Sequence, residues 1–69
     1  MPLTMANYGE PLSIKAIHGK DETRRFLESL GFVTGAQVTV VTEMGGNMIL
    51  NVKETRIALN KGMASRIMV

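Results

Sequence analysis

Apolar positions along this chain change their period several times, and each change marks an element. Leu12, Ile14, Ala16 and His18 alternate with Ser13, Lys15 and Ile17, the two-residue period of a first strand over 12–18. Ile14 and Ile17 fall on opposite faces, which a bulge or burial on both sides near the strand's end would explain. Gly19-Lys20 breaks the strand. Asp21 is placed to cap a helix of about ten residues, with Glu22 complementing its dipole. Phe26, Leu27 and Leu30 form its apolar stripe, while Arg24, Arg25, Glu28 and Ser29 face water. Gly31 is the expected left-handed residue after the helix, and Phe32 closes the cap with a hydrophobic contact. Both phenylalanines read as core.

After the turn Val33-Thr34-Gly35, alternation returns with Val38, Val40 and Thr42 on one face of a β-branched strand. Met44-Gly45-Gly46-Asn47 predicts a hairpin, because Gly and Asn accept the positive φ such turns need. The return strand sets Met48, Leu50 and Val52 inward and Ile49, Asn51 and Lys53 outward. Glu54-Thr55 reverses the chain into Arg56–Leu59, with Ile57 and Leu59 inward. Residues 60–64 read as one helical turn and 65–69 as a short closing strand. The expectation is a mainly β protein: five short strands in a small, partly open SH3-like barrel, one α-helix inserted after the first strand.

Length limits what such a chain can hold. Sixty-nine residues make one domain, 1–69, and a core of that size rarely supplies more than ~3–5 kcal/mol. With no cysteine, disulfides, Fe–S clusters, thiolate zinc sites and cysteine nucleophiles are excluded. Eight basic against six acidic side chains leave a net charge of +2, spread without a basic run. With no interleaved aromatics either, nucleic acid is not an expected partner. No stretch reaches 18 apolar residues, so membrane insertion is not expected. The opening Met1-Pro2-Leu3-Thr4 lacks a signal peptide's basic flank and apolar run, which favours the cytoplasm.

Candidate chemistry is sparse. His18 is the one histidine; with Asp21 and Glu22 it could form a His–carboxylate pair or a two-ligand metal site. An exposed loop histidine beside a capping aspartate explains the same residues. An iron(II) site made by this chain alone would want two imidazoles and a carboxylate. Weak transition-metal binding through surface carboxylates, or across a weak homo-oligomer, stays open. Gly45-Gly46-Asn47 is too short for a phosphate loop and leads into a strand. A proline-peptide groove cannot be built from one tyrosine, Tyr8. The six methionines are scattered and read as gap-filling core and adaptable surface. Met44 and Met48, with Val41 and Ile49, are either a partner patch on the hairpin or the covered face of a curved barrel.

The segment Arg25–Val41, RFLESLGFVTGAQVTVV, resembles the helix, Leu-Gly turn and following strand of the FeoA family. The ending RIALNKGMASRIMV, Arg56–Val69, is similar to that family's closing pattern, and Leu3 and Gly9 fall where its opening residues would. The likeness spans roughly residues 3 to 69 and rests on order and spacing, since no single motif is specific. Thr34 stands where many members have proline, and Glu54 where many have glycine; both changes touch turns. The resemblance implies an SH3-like fold and a non-enzymatic accessory role in bacterial ferrous-iron uptake. It implies docking on the cytosolic region of the FeoB membrane transporter, hence a location in the cytoplasm or at the inner membrane's surface. The alternative it leaves is an iron(II)-sensing domain like the C-terminal domain of DtxR-like repressors. No cofactor and no catalytic residue are expected. Arg24, Arg25, Arg56 and Lys61, with Val41, Met44, Met48 and Ile49, are the candidate contact residues; ordinary solubilising charge is the better account of any one of these cations taken alone.

Overall fold

The computed structural model describes residues 1–69, and from residue 37 onward its strands follow the alternation except at one bulge. β1 (Leu12–Ser13), β2 (Ala16–Ile17) and α1 (Asp21–Ser29) come first. β3 (Gln37–Met44), β4 (Asn47–Val52), β5 (Thr55–Asn60), α2 (Lys61–Ala64) and β6 (Ile67–Met68) follow. One antiparallel sheet has the order β1-β3-β4-β5, and a second pairs β2 with β6. The expected mainly β architecture with a helix between the early strands is therefore present, as six strands in two sheets rather than five.

The extra strand comes from the first expected one, which divides. Leu12 and Ser13 pair with Val38 and Gln37, whereas Ala16 and Ile17 pair with Met68 and Ile67. Between them Ile14 sits fully inside, its N–H donating to the Ala36 carbonyl at 2.9 Å, and the Lys15 N–H donates to Met68. One strand serving two sheets must bend, which is why Ile14 and Ile17 could not share one alternation.

α1 is held at its C-terminal end. Gly31 (φ 103°) follows the C-cap residue, Leu30. The Gly31 N–H donates to Glu28 and the Phe32 N–H to Leu27, the paired bonds of a Schellman motif. Phe32 and Leu27 both have zero exposure. At the other end Lys20, not Asp21, is the N-cap and offers no side-chain bond; Asp21 is the first helical residue and acts there through its charge. Phe26 also departs from expectation. It is 49% exposed, because this nine-residue helix buries only the Leu27 row and Phe26 lies about 100° around the axis from it.

Leu50, Val38, Val40 and Val52 from the large sheet meet Leu3, Ile14, Leu27, Phe32, Ile67 and Ala64 in one core. Leu3 arrives on a 3-10 turn, Leu3–Met5, that the sequence pattern does not announce. All 14 buried residues are apolar. The Thr42 position is only half-buried, since the register slips between Val40 and Thr42. A bulge at Val41 moves Thr42 opposite Ile49, onto the outer face of the sheet.

Candidate functional site

With every buried position spent on apolar packing, whatever this chain recognises meets its surface. Two sets of polar side chains organise that surface, and they sit at opposite ends of β4.

The first gathers at the β3–β4 hairpin. Glu43 and Met48 face each other across the ladder on the inner side. Glu43 lies at the rim, where its carboxylate pairs with the Lys61 ammonium and accepts from the Tyr8 hydroxyl at 3.4 Å. Asn60 brings Lys61 there by capping α2: its Oδ1 accepts from the Met63 N–H at 2.8 Å. The Lys61 N–H donates in turn to the Gly46 carbonyl. The bond to Glu43, and then its charge, hold the Lys61 ammonium above its ordinary pKa of 10.5. Lys61 is thus part of a strap rather than a free cation. Residues 18 apart in sequence make this pair, so local spacing gives no sign of Glu43 as its partner.

The second set lies on the outer face of the large sheet. The ladder aligns Thr39, Asn51 and Arg56 in one row across three strands, and Thr42, Ile49 and Ala58 in the next. Asn51, Thr39, Gln37 and Ala36, with the turn residues Lys53 and Glu54, line a shallow cleft of about 340 Å³. Arg56 is exposed and has no acidic partner.

The candidate contact residues consequently separate. Arg56, Ile49 and Met44 share the outer sheet face, with Val41 half-buried in the bulge beside them. Met44 is 66% exposed at its hairpin end. Met48 is corrected: it is 3% exposed and packs in the core, because the register turns it inward with Leu59 and Glu43. Arg24 and Arg25 lie on α1 among Asp21 and Glu28, and Arg24 approaches Asp21 at 4.0 Å. His18 is exposed, and nowhere do three His, Asp or Glu side chains converge as a metal site.

These features define a small β module with a helix inserted between its second and third strands, and the comparisons with known proteins agree on that fold. The FeoA domain model matches residues 1–69, and the chain belongs to the FeoA family, as its sequence resemblance implied. A "Putative Fe(2+) transport protein A" of Methanocaldococcus jannaschii is 32% identical over 68 residues, covering 99% of this chain and 83% of that protein. The crystal structure of Stenotrophomonas maltophilia FeoA complexed with zinc, described as an SH3 domain protein, superposes with a TM-score of 0.85. It is 28% identical, over 99% of this chain and 87% of that one. A manganese-dependent transcriptional repressor contains the same fold at a TM-score of 0.85 and 17% identity, over 97% of this chain and 39% of the repressor. That likeness is one of fold alone. No helix is long and apolar enough to cross a membrane.

Proposed function

We propose that this chain is a non-enzymatic accessory protein of ferrous-iron uptake that docks on the cytosolic region of a FeoB-like membrane transporter. Its place of work is then the cytoplasmic surface of the inner membrane, reached through the partner. The observation that carries this reading is the use of the whole chain: the family match takes in residues 1–69, and all 14 buried residues are apolar. Acid–base and nucleophilic catalysis need polar groups held in a desolvated pocket; here the polar groups are outside, where partners are met. The test is capture of the full-length transporter from the same genome, in nanodiscs, by the immobilised chain with and without guanine nucleotide. Retention in at least one nucleotide state is expected, and absence of retention in both at high protein concentration overturns the reading.

A second reading has one observation in its favour, the zinc bound by the S. maltophilia relative. In this reading the chain takes up a transition ion such as iron(II), weakly, at exposed carboxylates or His18, or between two copies. Calorimetry with iron(II), manganese(II) and zinc(II) decides it, since no heat at millimolar metal sinks the sensor.

A further inference from the structure

The outer face of β3, β4 and β5 is unusual in what it lacks. These strands contain 20 residues, and only two are charged, Glu43 and Arg56. Glu43 belongs to the inner side and is tied to Lys61, so Arg56 is the one charge that the strands themselves place on the outer face. By contrast, five of the nine residues of α1 are charged, Asp21, Glu22, Arg24, Arg25 and Glu28. A face meant only for water is ordinarily rich in charges of both signs. A surface depleted of Lys, Asp and Glu, with an arginine among aliphatic and amide side chains, has the composition of an interface centre.

The arrangement within the face adds to this. Arg56 ends its row on the edge strand β5, with Asn51 beside it and Thr39 one strand further on, and Ile49 and Ala58 occupy the next row along the strands. The polar cleft opens at the same end as Arg56, and its rim supplies a second cation, Lys53. The turn that presents Lys53 holds it at φ 49° and Glu54 at φ 62°, a conformation that costs non-glycine residues about 1–2 kcal/mol apiece. Charged side chains kept where glycine or asparagine would relax the backbone point to a use for those side chains.

We propose that this outer sheet face is where the chain docks, and that its occupant is an acidic segment of the transporter's cytosolic region. One carboxylate of that segment lies against the Arg56 guanidinium, a second against Lys53, and an apolar side chain covers Ile49. Charge complementarity selects the partner: the face offers two cations near Asn51, and its lone carboxylate, Glu54, sits at the turn. Arg56 makes no ion pair within the chain, so its guanidinium is free to take a bidentate carboxylate. α1 has no such claim, since its arginines stand among three carboxylates of their own.

This inference rests on the docking reading above, and the experiment separates the two. Full-length chain carrying Arg56→Glu, Arg56→Lys, Ile49→Asp or, as the comparison, Arg24→Glu with Arg25→Glu is titrated against the same nanodisc-held transporter. Each variant is first checked for an unchanged circular dichroism spectrum and cooperative melting. Arg56→Glu is expected to weaken binding at least tenfold, Arg56→Lys by less, and the α1 pair by under twofold. Wild-type affinity should fall as salt rises, and the Arg56→Glu affinity should respond less. Should Ile49→Asp not fold, Arg56→Glu alone decides, its side chain being solvent-exposed. If wild type binds and Arg56→Glu binds within twofold of it, or the α1 pair weakens binding as much, this face is not the dock although the chain still docks. If wild type itself does not bind in any nucleotide state, the docking reading and this inference fall together.

Discussion

β4 has a two-residue turn at each end, and the two are built to opposite rules. Before β4, Gly45 and Gly46 stand at φ 56° and 82° between the paired Met44 and Asn47. After β4, Lys53 and Glu54 stand at φ 49° and 62° between the paired Val52 and Thr55. Both turns put two consecutive residues at positive φ, the condition for a type I′ hairpin that matches the strands' twist. Glycine meets it without strain at the first, while two charged residues meet it at a cost at the second. The surroundings are opposite as well. The glycine turn is braced from outside by Lys61, Glu43 and Tyr8, whereas Lys53 and Glu54 have no ion pair and line an open cleft. One end of the sheet spends its side chains on holding shape. The other spends backbone conformation on presenting side chains.

The largest test of that contrast is Gly46→Val. Nothing lies within 4 Å of where its Cβ would go, so the new Cβ meets no neighbour and backbone strain is the expected source of the loss. A β-branched residue at φ 82° should cost about 1–3 kcal/mol, read as a lowered denaturation midpoint at unchanged slope. Asn60→Ala comes next, at about 1 kcal/mol, since it removes the side-chain acceptor that caps α2 and brings Lys61 to the glycine turn. Glu54→Gly runs the other way. Relief of its positive φ should raise stability by roughly 0.5–1 kcal/mol in urea denaturation. A loss of stability there would mean that Glu54 makes a stabilising interaction and that the two turns are not opposites.

How much of this could be read from the sequence depends on how local the cause is. The Schellman cap at Gly31–Phe32, the Gly45-Gly46 hairpin and the inward Met48-Leu50-Val52 row each arise within a few residues, and each is legible in the pattern. The misses have causes spread along the chain. Strand 12–18 divides because its halves pair with β3 and with β6, segments more than 20 and 45 residues away. Helical spacing alone puts Phe26 in the core, yet how wide a stripe a short helix buries depends on what it packs against. For the site, Arg56 and Ile49 were legible as outward-facing by alternation. That they share one face with Asn51 and Thr39, and that Lys61 is engaged by Glu43, required the register of three strands. The family's glycine replaced by Glu54 was visible as a departure. Its physical meaning, a charged residue held at φ 62°, was not.

The smallest effect probes the strap at the glycine turn. Glu43 raises the Lys61 pKa above 10.5, chiefly by accepting its hydrogen bond and then by charge. Because the folded value lies above the unfolded one, the stability from this pair is fully present below the unfolded pKa. It is lost as pH rises through the folded value. Both partners are partly exposed, with side chains 55% and 33% accessible, so solvent and salt screen the pair and its share of stability is small. The direct measurement is therefore titration rather than melting: the Lys61 Cε and Nζ resonances followed by NMR in alkaline solution. The Lys61 midpoint should lie above that of an unpaired lysine, and Glu43→Gln should bring it back toward 10.5. A Lys61 midpoint that does not move in Glu43→Gln would mean that the strap does not persist in solution. The glycine turn would then be held by its backbone alone, and the contrast between the two ends of β4 would reduce to glycine against charge.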